Sequence, residues 1–254
     1  MIGNKIIELN RVDSTNTYAN LVIAENDFDD GVVIWTQEQF AGRGQHDHHW
    51  TSEAGKNLTC TVCLKPDFLP PDRQFQLNKA ISLGVLDFIR HFLNHPSLGF
   101  PAVVCSIKWP NDIYVGDQKI GGILIEHKIM GSILTTSIAG IGVNVNQTRF
   151  APDIPNPVSL IHILRHEILL KDALQSLCGY LDTRYVQLKQ SDRKNLDLEF
   201  DQHLLGFNQW RKFSKDGVQM EGKINGVDNY GRLKLETQNN EILIFSHKEI
   251  EYLL

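Results

Sequence analysis

The feature that most restricts what this chain can fold into is a run of extended segments between residues 103 and 145. Val103–Trp109 and Asp112–Val115 flank a Pro-Asn turn, Gly116-Asp117 turns the chain into Lys119–Ile129, and Met130-Gly131-Ser132 turns it again into Ile133–Val145. Alternating, β-branched segments of this kind are stable only inside a sheet. Further strands are expected at Lys5–Val12, Val32–Thr36 and Asn57–Leu64. Helices fall between them. Asp13 or Ser14 can cap one whose apolar side carries Tyr18, Leu21 and Val22. Pro70-Pro71-Asp72 opens a longer one reaching to about Asn94, with Phe75, Ala80, Leu83, Leu86, Ile89 and Leu93 near helical spacing. Asp172–Lys189 and Asp192–Leu204 read as two more. Gln39–Lys56 is polar, contains glycine and has no apolar period, which marks a surface loop.

After about Lys212 the texture changes. Gly217, Gly222, Gly226, Gly231 and Asn239-Asn240 punctuate short alternating runs such as RLKLET and EILIFS, the pattern of a small β-barrel of about 40 residues. The expected layout is an α+β body over 1–211 and an all-β tail over 212–254. Since the tail carries its own strand pattern, the body alone is expected to bury its own core. At 254 residues, 42% apolar and 22% charged, the chain is long enough for both units and ordinary in composition. A net charge of -5 provides no global pull toward nucleic acid or anionic lipid. No stretch approaches the ~18 apolar residues of a membrane span, and the N-terminus lacks a signal-peptide core. Four cysteines are too few for a disulfide framework and read as reduced thiols of a cytoplasmic protein. Cys60 and Cys63 form a C-x-x-C, but three residues apart on a strand they point to opposite faces, so small apolar sheet residues are favoured over a metal or redox pair.

Chemistry is concentrated in three segments. In Gln39-Phe-Ala-Gly-Arg-Gly-Gln-His-Asp-His-His-Trp50, two glycines around an arginine let backbone N–H groups approach an anion while a guanidinium clamps it. The competing reading is a loop tip with incidental charge. In Lys108-Trp-Pro-Asn-Asp-Ile113 with Lys119-Ile-Gly-Gly122, two lysines, an asparagine and an aspartate crowd one turn, a costly arrangement unless they face a polar ligand. An ordinary turn with solvated lysines is the alternative. Gly140-Ile-Gly-Val-Asn144 places glycines within an apolar strand, as happens where a ligand comes close or where a bulge forms.

Taken in order, Asp13-Ser-Thr-Asn16, Ala41-Gly-Arg-Gly44 with Trp50, Lys108-Trp-Pro-Asn-Asp112, Lys119-Ile-Gly-Gly122 and Gly140-Ile-Gly-Val-Asn144 resemble the biotin–protein ligases (holocarboxylase synthetases). The tail, with Gly226-Val-Asp and Tyr230-Gly-Arg-Leu, resembles their C-terminal β-barrel. The resemblance implies a mixed sheet with packed helices, similar to the cores of class II aminoacyl-tRNA synthetases and lipoate ligases. It implies activation of biotin by ATP to biotinyl-AMP, with Mg²⁺, and transfer of biotin to a lysine of a biotin carboxyl carrier protein or domain. By the same resemblance, Lys119 would bridge the biotin carboxylate and the α-phosphate. Arg43, with Gly42 and Gly44, would hold the phosphate and then the adenylate. Ser14, Thr15, Asn16 and Gln39 would bind the ureido head, with Gln45 also on the biotin side. Gly122, Gly140 and Gly142 would let the bicyclic ring lie flat. Asn111 and Asn144 would bind phosphates and Mg²⁺, Trp50 would close over the product, and Asp112 would orient or deprotonate the carrier lysine. Because the catalytic body begins at about Lys5, the N-terminal DNA-binding module of some relatives is expected to be absent, and with it DNA and membrane partners.

Many family members read Gly-Arg-Gly-Arg-Arg-Gly where this chain reads Gly-Arg-Gly-Gln45-His46-Asp47, so the adenylate would rest more on Arg43. For His46, His48 and His49, solvent exposure is favoured over phosphate contact and over metal binding. If they do reach the adenylate, its release should speed up as pH rises through the histidine range. A lipoate–protein ligase is the rival within the fold, and a non-enzymatic regulator the rival class. Exposed strand edges are expected to pair with the carrier or with a second copy in a homodimer.

Overall fold

The computed structural model describes residues 1–24, 28–45, 49–93, 103–190 and 193–253. Its centre is a seven-stranded sheet made from β1 (Ile6–Val12), β2 (Val32–Gln39), β3 (Leu58–Leu64), β4 (Cys105–Lys108), β5 (Asp112–Val115), β6 (Gln118–Met130) and β7 (Ile133–Val143). The spatial order is β1-β2-β3-β7-β6-β5-β4, with β1 parallel to β2 and the other pairs antiparallel. Both hairpin turns read from the sequence, at Gly116 (φ +57°) and Gly131 (φ +61°), need the left-handed backbone that glycine adopts without strain.

The two faces of this sheet differ. One is covered by α2 (Phe75–Leu93) and α4 (Leu170–Lys189), which also pack on each other. Val33, Trp35, Cys60, Val62, Ala139, Ile141 and Val143 meet Leu77, Ile81, Leu86, Leu177 and Leu181 there in one buried cluster. The opposite face is covered only in part, by α1 (Thr15–Ala24), in a smaller cluster of Ala19, Phe28, Val32, Ile34, Cys63 and Ile138. Cys60 and Cys63 therefore sit on opposite faces. Burial pushes the Cys63 thiol up to about 12 and Cys60 higher still, so neither is a nucleophile at neutral pH.

Several boundaries depart from expectation for identifiable reasons. β2 continues past Thr36 to Gln39 because β1 supplies a parallel partner along its whole length, pairing Arg11 with Glu38 and Val12 with Gln39. The Pro-Pro-Asp segment forms only a 3₁₀ turn, Pro71–Arg73, before α2 starts at Phe75; Asn94 lies outside the described residues. Leu21, assigned to the apolar side of α1, is 60% exposed, and the helix buries Thr15, Asn16 and Ala19 instead. A short helix, α3 (Leu160–Leu164), was not foreseen, since one turn has too few residues to show a period. α5 (Arg193–Gln202) matches the last predicted helix; Asp192 lies outside the described residues.

The tail is a five-stranded antiparallel sheet of β8 (Trp210–Lys215), β9 (Val218–Val227), β10 (Leu233–Glu236), β11 (Ile242–Phe245) and β12 (Glu251–Tyr252), ordered β11-β10-β9-β8-β12. β8 runs across the expected boundary at 211/212. Phe213, Ile224, Leu233, Leu235 and Phe245 belong to the same buried cluster as the body. The junction is tight. A side chain at Gly231 (φ +82°) would run into Phe75, and one at Gly226 into Asp201. Trp109 Nε1–H donates to Gly231 O at 2.8 Å, and Val227 N–H to Asp201 Oδ1 at 3.2 Å. The core is thus continuous, and cutting after residue 212 would expose Phe75, Phe200 and Trp109 rather than leave a finished surface.

Candidate functional site

Strand register brings the three chemical segments together. Pairing carries one lateral row across five strands: Lys108 on β4, Asp112 on β5, Gly122 on β6, Gly142 on β7 and Thr59 on β3. The next row on the same face holds Leu124, Gly140 and Thr61. These positions alternate with Ile123, Ile141 and Cys60, which point into the helix-covered core. The glycines therefore make a floor without side chains on the face that α1 leaves open. Above it lies a cleft of about 820 Å³.

Of the residues singled out in the sequence, Ser14, Thr15, Asn16, Gln39, Arg43, Gly44, Gln45, Trp50, Asn111, Asp112, Lys119, Gly122, Gly140, Gly142 and Asn144 all line this cleft. Gly42 does not. It is buried behind the loop, where a Cβ would strike the Trp50 carbonyl and the Gln39 amide, and its own carbonyl accepts Trp50 N–H at 3.0 Å. Arg43 and His49 form an antiparallel backbone bridge. His46, Asp47 and His48 lie outside the described residues, so the reading of the histidine run rests on exposed His49 alone.

Two positions differ in detail from a bare glycine floor. Gly140 lies directly under the Asn16 amide and Gly142 under the Trp50 indole, each too close to leave room for a methyl group. Among the described residues the buried Trp50 N–H has no hydrogen-bond partner. Asn16 is already engaged at both ends: its Nδ2 donates to Glu126 Oε2 at 2.9 Å and its Oδ1 lies 2.7 Å from the Thr61 hydroxyl. Thr61 Oγ1 is also 2.7 Å from Thr15 Oγ1, so its single proton serves one of two acceptors. Gln39 Oε1 accepts from Thr15 N–H at 2.8 Å, and its Nε2 lies against Gly42 of the loop. Thr61 and Glu126 were missed in the sequence. Thr59 and Thr61 alternating with Leu58, Cys60 and Val62 were the available signal, because a threonine at every second position marks a face that is not apolar core.

The charged end is organised around an ion pair. Lys119 Nζ lies 2.8 Å from Asp112 Oδ1, with side chains 30% and 25% exposed. Lys119 is held from behind by residues 156–158: its N–H donates to Asn156 O and its carbonyl accepts Val158 N–H. Asn144 is fixed by the same strap, donating from Nδ2 to Val158 O at 3.0 Å, and Asn111 Nδ2 donates to Ile123 O. Each asparagine thus spends one of its two Nδ2 N–H groups on a backbone carbonyl and keeps a second N–H and an amide oxygen as further polar functions. Lys108 lies between the rings of Tyr114 and Tyr252, 5.4 Å from each centroid. Its pKa is lowered, chiefly by burial and further by Lys119, against the opposing pull of Asp112 and Glu251. Burial raises the Tyr114 phenol to about 12, so it stays a neutral hydroxyl. The tail also contributes His247, Lys248, Ile250, Glu251 and Tyr252 to the cleft wall, none of which was singled out in the sequence.

Among the described residues, no group of three or more His, Cys, Asp or Glu side chains could hold a metal, and no helix is long and apolar enough to cross a membrane. Asn111 and Asn144 bring neutral amides to the cleft beside Asp112, a donor set compatible with an oxygen-seeking cation that arrives with phosphates.

Known proteins share this architecture. The biotin protein ligase of Aquifex aeolicus in complex with biotin and ATP superimposes with a TM-score of 0.78 over 98% of both chains, at 23% identity, a likeness of fold. The bifunctional ligase/repressor BirA of Bacillus spizizenii is 27% identical over 251 residues, 97% of this chain and 74% of that protein. The biotin–[acetyl-CoA-carboxylase] ligase of Mycobacterium tuberculosis is 26% identical over 216 residues, 85% of this chain and 77% of that protein. The sequence profile of the biotin/lipoate A/B protein ligase family matches residues 8–144, the stretch that builds the glycine floor, the α1 cap and the Lys119–Asp112 pair. The chain belongs to the biotin/lipoate A/B protein ligase family.

Proposed function

We propose that this protein is a biotin–protein ligase that forms biotinyl-AMP from biotin and ATP and transfers biotin to a lysine of a biotin carboxyl carrier protein or domain. The observation that carries the reading is the ammonium of Lys119 held 2.8 Å from Asp112, in the row of the cleft face where Gly122 and Gly142 carry no side chain. Adenylation brings a carboxylate against an α-phosphate. Two unit charges at 4 Å repel by about 1 kcal/mol in water and about 4 kcal/mol at the effective dielectric of a protein site. Lys119 offsets that repulsion as a compact point charge, held at the cleft by Asp112 until it turns to the substrate anions. Arg43 supplies a second, mobile cation from the loop. Ser14, Thr15 and Gln39 supply the polar end for the ureido head, with Asn16 holding α1 to the sheet through Thr61 and Glu126. Gly44 and Gln45 complete the loop side of the biotin subsite. Trp50 covers the Gly142 end and keeps water from the anhydride. Mg²⁺ would enter with ATP and meet the amide oxygens of Asn111 and Asn144, neutralising phosphate charge.

In transfer, the carrier ammonium loses one proton to Asp112, its nitrogen bonds to the biotinyl carbonyl carbon, the carbon–oxygen bond to phosphate breaks, and the second nitrogen proton leaves with the departing AMP phosphate. Asp112→Asn is expected to slow this step more than adenylate formation, measured by separate single-turnover assays. Equal losses would remove Asp112 from the role. Names of relatives as biotin–[acetyl-CoA-carboxylase] ligases support a carboxylase carrier as the acceptor. Among the described residues β1 pairs with β2 alone, so its outer edge is where we place the carrier or a second copy. Four free, buried cysteines support a reducing, cytoplasmic setting. The test is ATP–pyrophosphate exchange: exchange supported by biotin and not by lipoate is expected, and the reverse preference would make this a lipoate ligase.

A further inference from the structure

We propose that Lys108 is a positioning residue for adenylation: its ammonium, clamped between Tyr114 and Tyr252, becomes the counter-charge of Asp112 when Lys119 turns to the substrate anions. The proposal rests on the ligase reading. Lys108 and Asp112 are direct register partners on β4 and β5, on the cleft face, with Gly122 and Lys119 on the far side of Asp112. Asp112 is therefore flanked by two lysines and ion-paired to one of them, Lys119, at 2.8 Å.

The arrangement has a charge problem that Lys108 solves. While Lys119 sits on Asp112 the pair is neutral and attracts no anion. Once Lys119 bridges carboxylate and phosphate, Asp112 is left as a third negative charge a few ångströms from two others. A partly buried carboxylate without a partner costs far more than an exposed one. The charged and titratable groups facing Lys108 are Asp112 and Tyr114 from β5, Lys119 from β6, and Glu251 and Tyr252 from β12. Tyr114 is neutral at working pH and contributes its ring face and a hydroxyl 3.5 Å from Nζ. The two rings favour an ammonium over a neutral amine and stop it from swinging into solvent. Tyr252 belongs to the tail, packed edge-on to Phe213 at 5.2 Å, so the tail sets where this charge sits. A lysine needed only for packing would gain nothing from an aspartate directly across the ladder.

The test is a double-mutant cycle on the full-length chain, read as kcat/KM for biotin in ATP–pyrophosphate exchange: native, Lys108→Met, Asp112→Asn and the double variant. Lys108→Met should lower kcat/KM about tenfold or more in the native background and only about two- to threefold beside Asp112→Asn, since the charge to be balanced is then gone. Lys108→Arg should restore most of the loss, and Tyr252→Leu should reproduce part of it. Circular-dichroism melts of each variant separate folding from charge; if Lys108→Met melts early, Lys108→Gln takes its place in the cycle. Equal loss in both backgrounds, or no rescue by arginine, overturns the proposal. A native chain with no biotin-dependent exchange would instead defeat the ligase reading itself, and this role with it.

Discussion

The two faces of the central sheet are made by alternate residues of the same strands, yet they are under opposite physical demands. On β7, Ala139, Ile141 and Val143 point to α2 and α4 and are 0–2% exposed. Their neighbours Gly140 and Gly142 point the other way and carry no side chain at all. On β6 the same step separates Ile123 from Gly122, and on β3 it separates Cys60 and Val62 from Thr59 and Thr61. One face gains stability from close packing of apolar volume. The other gives up that packing to leave a floor, and gathers Lys108, Asp112 and Lys119 at its rim. Stability and chemistry are therefore one residue apart in sequence and a sheet's thickness apart in space.

If that division is correct, substitutions one step apart should fail in different assays. Lys119→Ala should cut biotin-dependent exchange by about 10²–10³-fold while leaving the melting temperature nearly unchanged, because the charge is lost from a group whose role is transition-state stabilisation. A large drop in melting temperature would show that the Lys119–Asp112 pair belongs to the fold. Ile141→Ala, one residue from the floor but facing the helices, should do the opposite: a loss of about 2–5 kcal/mol in urea unfolding, with exchange per folded molecule retained. The core face should also be the acid-sensitive one. His127 lies on it, Nδ1 2.8 Å from the Ser137 hydroxyl, and burial pushes its pKa down to about 4. The unfolded chain then binds a proton that the folded chain refuses. Its contribution is fully present above the unfolded value of ~6.5 and is lost as pH falls toward 4, by up to about 3 kcal/mol. His127→Gln should flatten the stability profile in that window; an unchanged profile would assign acid sensitivity to other groups. The smallest effect is expected at Gly142→Ala. Its methyl group meets the Trp50 indole, so the biotin KM should rise roughly tenfold for about 1–3 kcal/mol of crowding, with little change in stability.

Much of the central sheet could be read from sequence because its turns are punctuated by glycine and its strands alternate cleanly. Gly116 and Gly131 sit where the chain reverses, and the Lys-Trp-Pro-Asn-Asp and Gly-Ile-Gly-Val-Asn segments fall at the rim and on the floor of the cleft. What could not be read depends on pairing between distant segments. The row from Lys108 to Thr59 is a matter of register, which no local pattern states. Glu126 acts through Asn16 and Tyr252 through Lys108, partners set by the fold, and of the residues missed only Thr61, alternating with Cys60 and Val62, carried a local signal. The tail looked independent because its strands are short and regular. Its inner face is completed by Phe75 and Trp109 of the body, contacts made 122 or more residues away in sequence.

The central claim is that the open face of this sheet joins biotin to AMP. Incubating the purified chain with biotin, ATP and Mg²⁺ in a single turnover and separating the bound products tests it without any carrier protein. The account predicts biotinyl-AMP and pyrophosphate in equal amounts, with both formed about 10²–10³-fold more slowly by Lys119→Ala. No adenylate from biotin, or an adenylate formed equally well by Lys119→Ala, would contradict it.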